Sequence, residues 1–123
     1  MKSVYNFIIL LLFLTTLPAD IINVPTEYAT IQAAINESQE GDTVLIDQGT
    51  YYENLTLNKE ITLISTADFE ALEGTEDWYD NTNIQNTIIN GSVINDPNKR
   101  SCLIIRDGDI QPTIKGLTFK EGI

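Results

Sequence analysis

A chain of 123 residues with 18 Asp and Glu against 7 Lys and Arg carries a formal net charge of −11. That balance argues against a nucleic-acid partner, whose phosphates need Lys and Arg, and against docking to an anionic membrane. With no histidine and Cys102 as the single cysteine, Ser-His and Cys-His catalysis, imidazole metal sites and an intrachain disulfide are excluded. Cys102 opens an apolar run and is expected to be buried as a small hydrophobe.

Met1-Lys2 is a basic start, Phe7 to Leu14 is an unbroken apolar run, and the small residue Ala19 precedes polar sequence. That layout predicts a secretory signal peptide over 1–19, cleaved after Ala19. A membrane-spanning helix needs about 20 apolar residues, and Tyr5, Asn6, Thr15 and Thr16 interrupt any such run. The mature part, 20–123, is therefore expected outside the cell or on its surface. Pro25 disfavours helix at Val24, so residues 20–29 read as extended. Thr30 is placed to cap a helix over 31–39. Ile31, Ala34, Ile35 and Ser38 share one face of it, while Gln32, Asn36, Glu37 and Gln39 point away. Gly41-Asp42 ends that helix.

From Thr43 the period becomes two. Strands are predicted at 43–46, 51–57 and 61–65, with turns at 47–50 and 58–60. One of Tyr51 and Tyr52 should cover the core, and the other should face solvent. Gly49 is expected to let the chain bend tightly. Residues 66–86 break the rhythm with Asp68, Glu70, Glu73, Glu76, Asp77 and Asp80, followed by an amide-rich stretch. Strand-like pieces resume at 87–90, 102–106 and 113–119, with a turn at 107–109 and a corner or bulge at Gly116. Strands this short suit a small antiparallel sandwich or a solenoid of stacked coils. A sandwich favours hairpin turns, and the one Asn-Gly pair, Asn90-Gly91, does not lie between two clean alternating runs. A solenoid needs an outwardly polar element over its first coil, and the helix at 31–39 can be that lid.

The stretch from Val24 to Ser65 resembles the N-terminal cap and first coil of the right-handed parallel β-helix, or pectin lyase-like, superfamily. The matching elements are Thr30 to Ile35, Gly41 to Val44, Gly49-Thr50-Tyr51 and Glu53-Asn54. Residues 86–92 and 112–122 resemble later coils. Pectin methylesterases and bacterial secreted β-helix repeat proteins share this cap. The resemblance implies an all-β fold, a right-handed parallel β-helix with a short N-terminal capping α-helix, truncated where "KEGI" leaves a coil incomplete. Gln48 departs from the pattern, since proline often stands there in the family.

In such families the catalytic groups lie on later coils, so no catalytic residue is assigned here. Residues 20–123 are expected to be the non-catalytic capping portion of a secreted or cell-surface β-helix protein. One alternative is part of a pectinesterase-like or polysaccharide lyase-like enzyme whose catalytic coils lie beyond residue 123. Arg106 with Asp107 and Asp109 could imitate a lyase cluster, but a strand ending in an Asp-Gly-Asp turn accounts for them. Another alternative is a glycan- or calcium-binding module on the loop 68–80. There Asp68, Glu70, Glu73, Glu76, Asp77 and Asp80 could offer oxygen ligands to calcium, and Trp78 and Tyr79 could stack on a sugar. The plainer readings are a solvated acidic loop and aromatic packing against the body of the protein. No other cofactor is expected. The expected partners are further coils of the same protein or a self-association partner at the open C-terminal end, and a polysaccharide. Asn36, Asn54 and Asn90 begin glycosylation sequons, which matter only in a host that glycosylates secreted proteins.

Overall fold

β-Branched and aliphatic residues alternating with polar ones give strands too short to bury a core singly, and they bury it jointly. The computed structural model describes residues 16–93 and 100–122. Its strands are β1 (Ile21–Val24), β2 (Thr43–Ile46), β3 (Gly49–Tyr52), β4 (Leu55–Leu57), β5 (Thr62–Ser65), β6 (Thr87–Asn90), β7 (Leu103–Ile105), β8 (Thr113–Lys115) and β9 (Thr118–Lys120). Three short helices accompany them: α1 (Ile31–Glu37), α2 (Phe69–Leu72) and α3 (Thr82–Asn86). The expected signal peptide falls mostly on residues outside those described. Among the described residues no helix is long and apolar enough to cross a membrane.

The strands form three sheets, ordered β1-β2-β5-β8, β3-β6-β9 and β4-β7. Every pairing is parallel. The chain visits the three sheets in turn through β2, β3 and β4, again through β5, β6 and β7, and returns to the first two with β8 and β9. Side chains therefore stack in columns. Ile22, Val44, Leu63 and Ile114 lie in register in the first sheet. Tyr51, Ile89 and Phe119 do so in the second, and Leu55 with Leu103 in the third. Val24, Val44, Ile46, Leu55, Leu57, Leu63 and Ile89 are fully buried and form one apolar cluster with Ile31, Ala34 and Ile35 of α1.

Several expected boundaries move. The predicted strand 51–57 is two strands, because Glu53 and Asn54 carry the chain from the second sheet to the third. Gly49 and Thr50, expected in a turn, belong to β3, and Gly49 takes no positive φ. The segment 113–119 divides at Gly116, which sits at φ +68 as a corner requires. The stretch expected to break the rhythm contains α2 and α3, each begun by a capping side chain. Asp68 accepts from the Ala71 N–H and Asn81 from the Ile84 N–H, both at 3.1 Å. Tyr51 packs against the core, and Tyr52 is 60% exposed. Cys102 is buried, and its Sγ–H donates to the Lys120 carbonyl at 3.1 Å.

Candidate functional site

A helix of seven residues has little stability of its own. What holds α1 comes from the chain that follows it. At its first turn the Thr30 hydroxyl accepts from the Ala33 N–H at 3.2 Å. The Glu53 carboxylate, from the corner between β3 and β4, accepts from Ile31 N–H at 2.9 Å and Gln32 N–H at 3.0 Å. At its last turn the Lys59 ammonium donates to the carbonyls of Ile35, Asn36 and Ser38 at 2.9, 2.7 and 2.6 Å. A carboxylate at the amino end and an ammonium at the carboxyl end satisfy orphan backbone groups and oppose the helix dipole.

Gln32 ties the lid to the third sheet. Its Nε2 donates to the Thr56 carbonyl at 3.1 Å, and its Oε1 accepts from the Thr56 N–H at 2.8 Å. The side-chain amide thus occupies the outward edge of β4 as a neighbouring strand would. Glu27 does the same for β1. Its carboxylate accepts from the Asn23 N–H and side-chain amide at 2.6 and 2.7 Å, which holds it below the usual carboxylate range. The Glu27 and Tyr28 N–H groups donate to the Asn23 carbonyl at 2.9 and 3.3 Å. Filled edges do not recruit another strand. Behind the lid, buried Asp42 accepts from Asp20 N–H at 2.9 Å and Gln39 N–H at 2.7 Å.

The far side of the three sheets is unlike this. β7, β8 and β9 are edge strands. Among the described residues, Cys102 is the one side chain that bonds to their backbone. Ile105 and Phe119 are 50% and 42% exposed, and Leu103, Ile114 and Leu117 are half-buried.

Of the residues singled out in the sequence, Asp68, Glu70, Glu73, Glu76, Asp77 and Asp80 all project into solvent. Among the described residues no three His, Cys, Asp or Glu side chains gather closely enough to hold a metal ion. Trp78 is half-buried against Phe69, with ring centroids 5.5 Å apart, and its indole N–H donates to the Leu72 carbonyl at 2.9 Å. The Lys115 ammonium lies 4.4 Å from the Phe69 ring centre and 5.4 Å from that of Trp78. These contacts fasten the acidic insertion to β8. Tyr79, 86% exposed, stands apart from them. Arg106, Asp107 and Asp109 are exposed, and the Asp109 N–H donates to the Asp107 carbonyl at 2.8 Å in a tight turn.

Asn54 donates its side-chain N–H groups to the carbonyls of Gly91 and Ser101 at 3.0 and 3.1 Å, so its sequon nitrogen is committed to the fold. Asn36 is exposed on α1. A cleft of about 570 Å³ lies beside the lid between Asp20, Ile22, Glu27, Tyr28, Glu37 and Glu40, and among the described residues no cation lines it. Sequence reasoning did not assign roles to Gln32, Glu53 and Lys59, although Glu53 lies in a stretch that matches the cap pattern. No family model, curated protein or solved structure matches this chain. Fold and site define a class: a strand-dominated chain of parallel sheets with a helix clamped over one end.

Proposed function

We propose that residues 20–123 are the non-catalytic N-terminal capping portion of a secreted or cell-surface protein, built as a right-handed parallel β-helix. The three sheets are its first coils, α1 is its lid, and further strands add beyond β7, β8 and β9. The observation that carries this reading is the clamp on α1. Thr30, Glu53, Gln32 and Lys59 satisfy the helix ends and the outward edge of β4 together. A helix needed only for bulk would not require both of its ends and the Thr56 backbone beside it to be matched. Parallel sheets visited in rotation support the coiled path.

The test is Ile35→Asp. Ile35 is 1% exposed under the lid, and a carboxylate there has no partner. The variant should shed α1, become protease-sensitive between residues 25 and 42, and scatter light as its uncovered edges associate. An Ile35→Asp chain with the stability and assembly state of the parent would refute the capping role. Secretion is tested separately by the amino terminus of the natural product, expected at Asp20 in the extracellular fraction.

A further inference from the structure

Asp20 is the first of the described residues that hydrogen bonds hold to the fold. Its carbonyl accepts from the Thr43 N–H at 2.9 Å, and its own N–H donates to Asp42 Oδ1 at 2.9 Å. Asp42 is 6% exposed, and its Oδ2 accepts from the Gln39 N–H at 2.7 Å. Residues 16–19 are exposed and form no hydrogen bond with the other described residues. A cut after Ala19 therefore breaks no tie of the fold. Hydrolysis of the Ala19–Asp20 peptide bond consumes one water. Ala19 leaves with the leader as a carboxylate, and the Asp20 nitrogen becomes an α-amine, which is protonated at neutral pH. That nitrogen already lies within hydrogen-bond distance of a buried carboxylate.

We propose that Asp42 is the seat of the mature amino terminus, its carboxylate pairing with the α-ammonium group that cleavage creates on Asp20. This rests on the reading of residues 1–19 as a secretory leader cut after Ala19. Before the cut, a neutral amide donates to the carboxylate. After it, an ion pair with a charge on both partners holds β1 against the turn that follows α1. The surroundings suit a cation. Asp20, Glu27 and Tyr28 from the β1 side and Glu37 and Glu40 from the lid line the cleft with Asp42, and among the described residues no cation does. Lys59 acts on Asp42 from the connection before β5, but its ammonium is bound by the α1 carbonyls. Leu17 and Pro18 line the same cleft, so loss of the leader opens it and supplies its cation in one step. The unprocessed chain has the bond but lacks the pair.

The natural secreted product tests this, beside its Nα-acetylated form and Asp42→Asn. Mass spectrometry of the terminal peptide should read Asp20 as the first residue. The rate at which an acylating reagent labels the α-amine then reports its protonation. A paired ammonium holds its proton above the ordinary α-amine value of about 7.7–8.0. At neutral pH the parent should therefore label about tenfold more slowly than Asp42→Asn, as an upward shift of about one unit requires. Acetylation serves where Asp42→Asn does not fold, because it returns a neutral amide to that nitrogen. The pair contributes fully below the ordinary value and is lost as pH rises through the folded one. The acetylated form should thus unfold at lower urea than the parent at neutral pH, and the two midpoints should converge in alkali. A hydrogen bond without the charge gives no such convergence. A product that begins at Asp20 but labels at the ordinary rate, with midpoints equal at every pH, overturns the seat and leaves secretion standing. Slow labelling that survives Asp42→Asn also overturns it, since Glu37 and Glu40 would then hold the charge. A product that keeps the leader or begins elsewhere overturns leader and seat together.

Discussion

The two ends of this molecule are built on the same columns of side chains, yet side chains tie the outward edges of β1 and β4 at one end and not the edges at the other. In the third sheet Leu55, next to the lid, is fully buried and Leu103 at the other end is half-buried, whereas in the first sheet the end members Ile22 and Ile114 are both half-buried. Both ends are apolar inside, so hydrophobicity does not distinguish them. The difference lies in the backbone. At the α1 end, side chains of Glu27 and Gln32 meet outward backbone groups of β1 and β4, and Glu53 and Lys59 meet the two ends of α1. At the β7–β9 end no side chain among the described residues does so, since the Lys120 carbonyl that Cys102 reaches also accepts from the Gly91 N–H at 2.9 Å and so faces β6. An end of parallel sheets is closed by satisfying its edges, and apolar cover alone does not do it.

The largest test of this contrast is a pair of truncations in one column. Leu63 is fully buried between Val44 and Ile114, and Leu63→Ala should cost about 3 kcal/mol, the middle of the range for a buried leucine. Ile114→Ala, at the uncovered position, should cost less than half of that when urea unfolding is measured in dilute solution. Equal losses would mean that the open end is already covered in the single chain, and the contrast would fail.

Much of the closed end was legible in the sequence, because its signals are local. Thr30 and the spacing of Ile31, Ala34 and Ile35 mark α1, and alternation marks β2, β5 and β6. The corner at Glu53-Asn54 was hidden by parity. Tyr51, Leu55 and Leu57 all turn toward the core, so two corner residues leave the alternation unbroken and the segment reads as one strand. The clamps were hidden by distance. Glu53 and Lys59 sit in short connections, where a charge reads as solubility, and their partners lie more than a helix's length away in the chain. Asp68 and Asn81 did offer a local signal, a capping residue ahead of each short helix, but the density of carboxylates and amides around them masked it. At the open end, the edges exist only once the pairing of β7, β8 and β9 is known.

A second test concerns how the open end is held to the insertion. Gly116 has φ +68, and a Cβ there would lie 2.6 Å from the Ser65 Oγ and also strike the Phe69 ring. Gly116→Ala should cost about 2 kcal/mol, from strained backbone and a displaced ring. Because Phe69 touches Trp78, the tryptophan emission of the folded variant should shift as well. Lost stability with unchanged emission would mean that the insertion is not fastened through Phe69. A smaller effect is expected at the lid. Gln32→Ala leaves the edge groups of Thr56 without their side-chain partner and should cost about 1 kcal/mol. Lys59→Met, which uncovers three carbonyls at the end of α1, should cost a similar amount. Hydrogen exchange should place both losses in α1 and β4 and leave β7–β9 as in the parent. Faster exchange throughout would show that lid and sheets unfold as one unit.

The smallest effect is one of pH, and it also separates the ends. The N–H groups of Gln39 and Asp20 hold the Asp42 carboxyl below the usual carboxylate range, with a lesser pull from Lys59. Its folded pKa therefore lies below its unfolded one. The stability it contributes is complete above the unfolded value of about 3.9 and is lost as pH falls through the folded value. Urea midpoints of the parent should stay level from neutrality down to that point and then decline. Asp42→Asn begins less stable, because an amide accepts these bonds more weakly than a carboxylate. It should decline less steeply over the same acid interval, since one titrating tie is gone. Hydrogen exchange in acid should show the segment around Gln39 to Thr43 loosening before β7–β9. Parallel declines in the two proteins would assign the acid sensitivity to other carboxylates, Glu27 among them, and would remove Asp42 from the set of ties that keep this end closed.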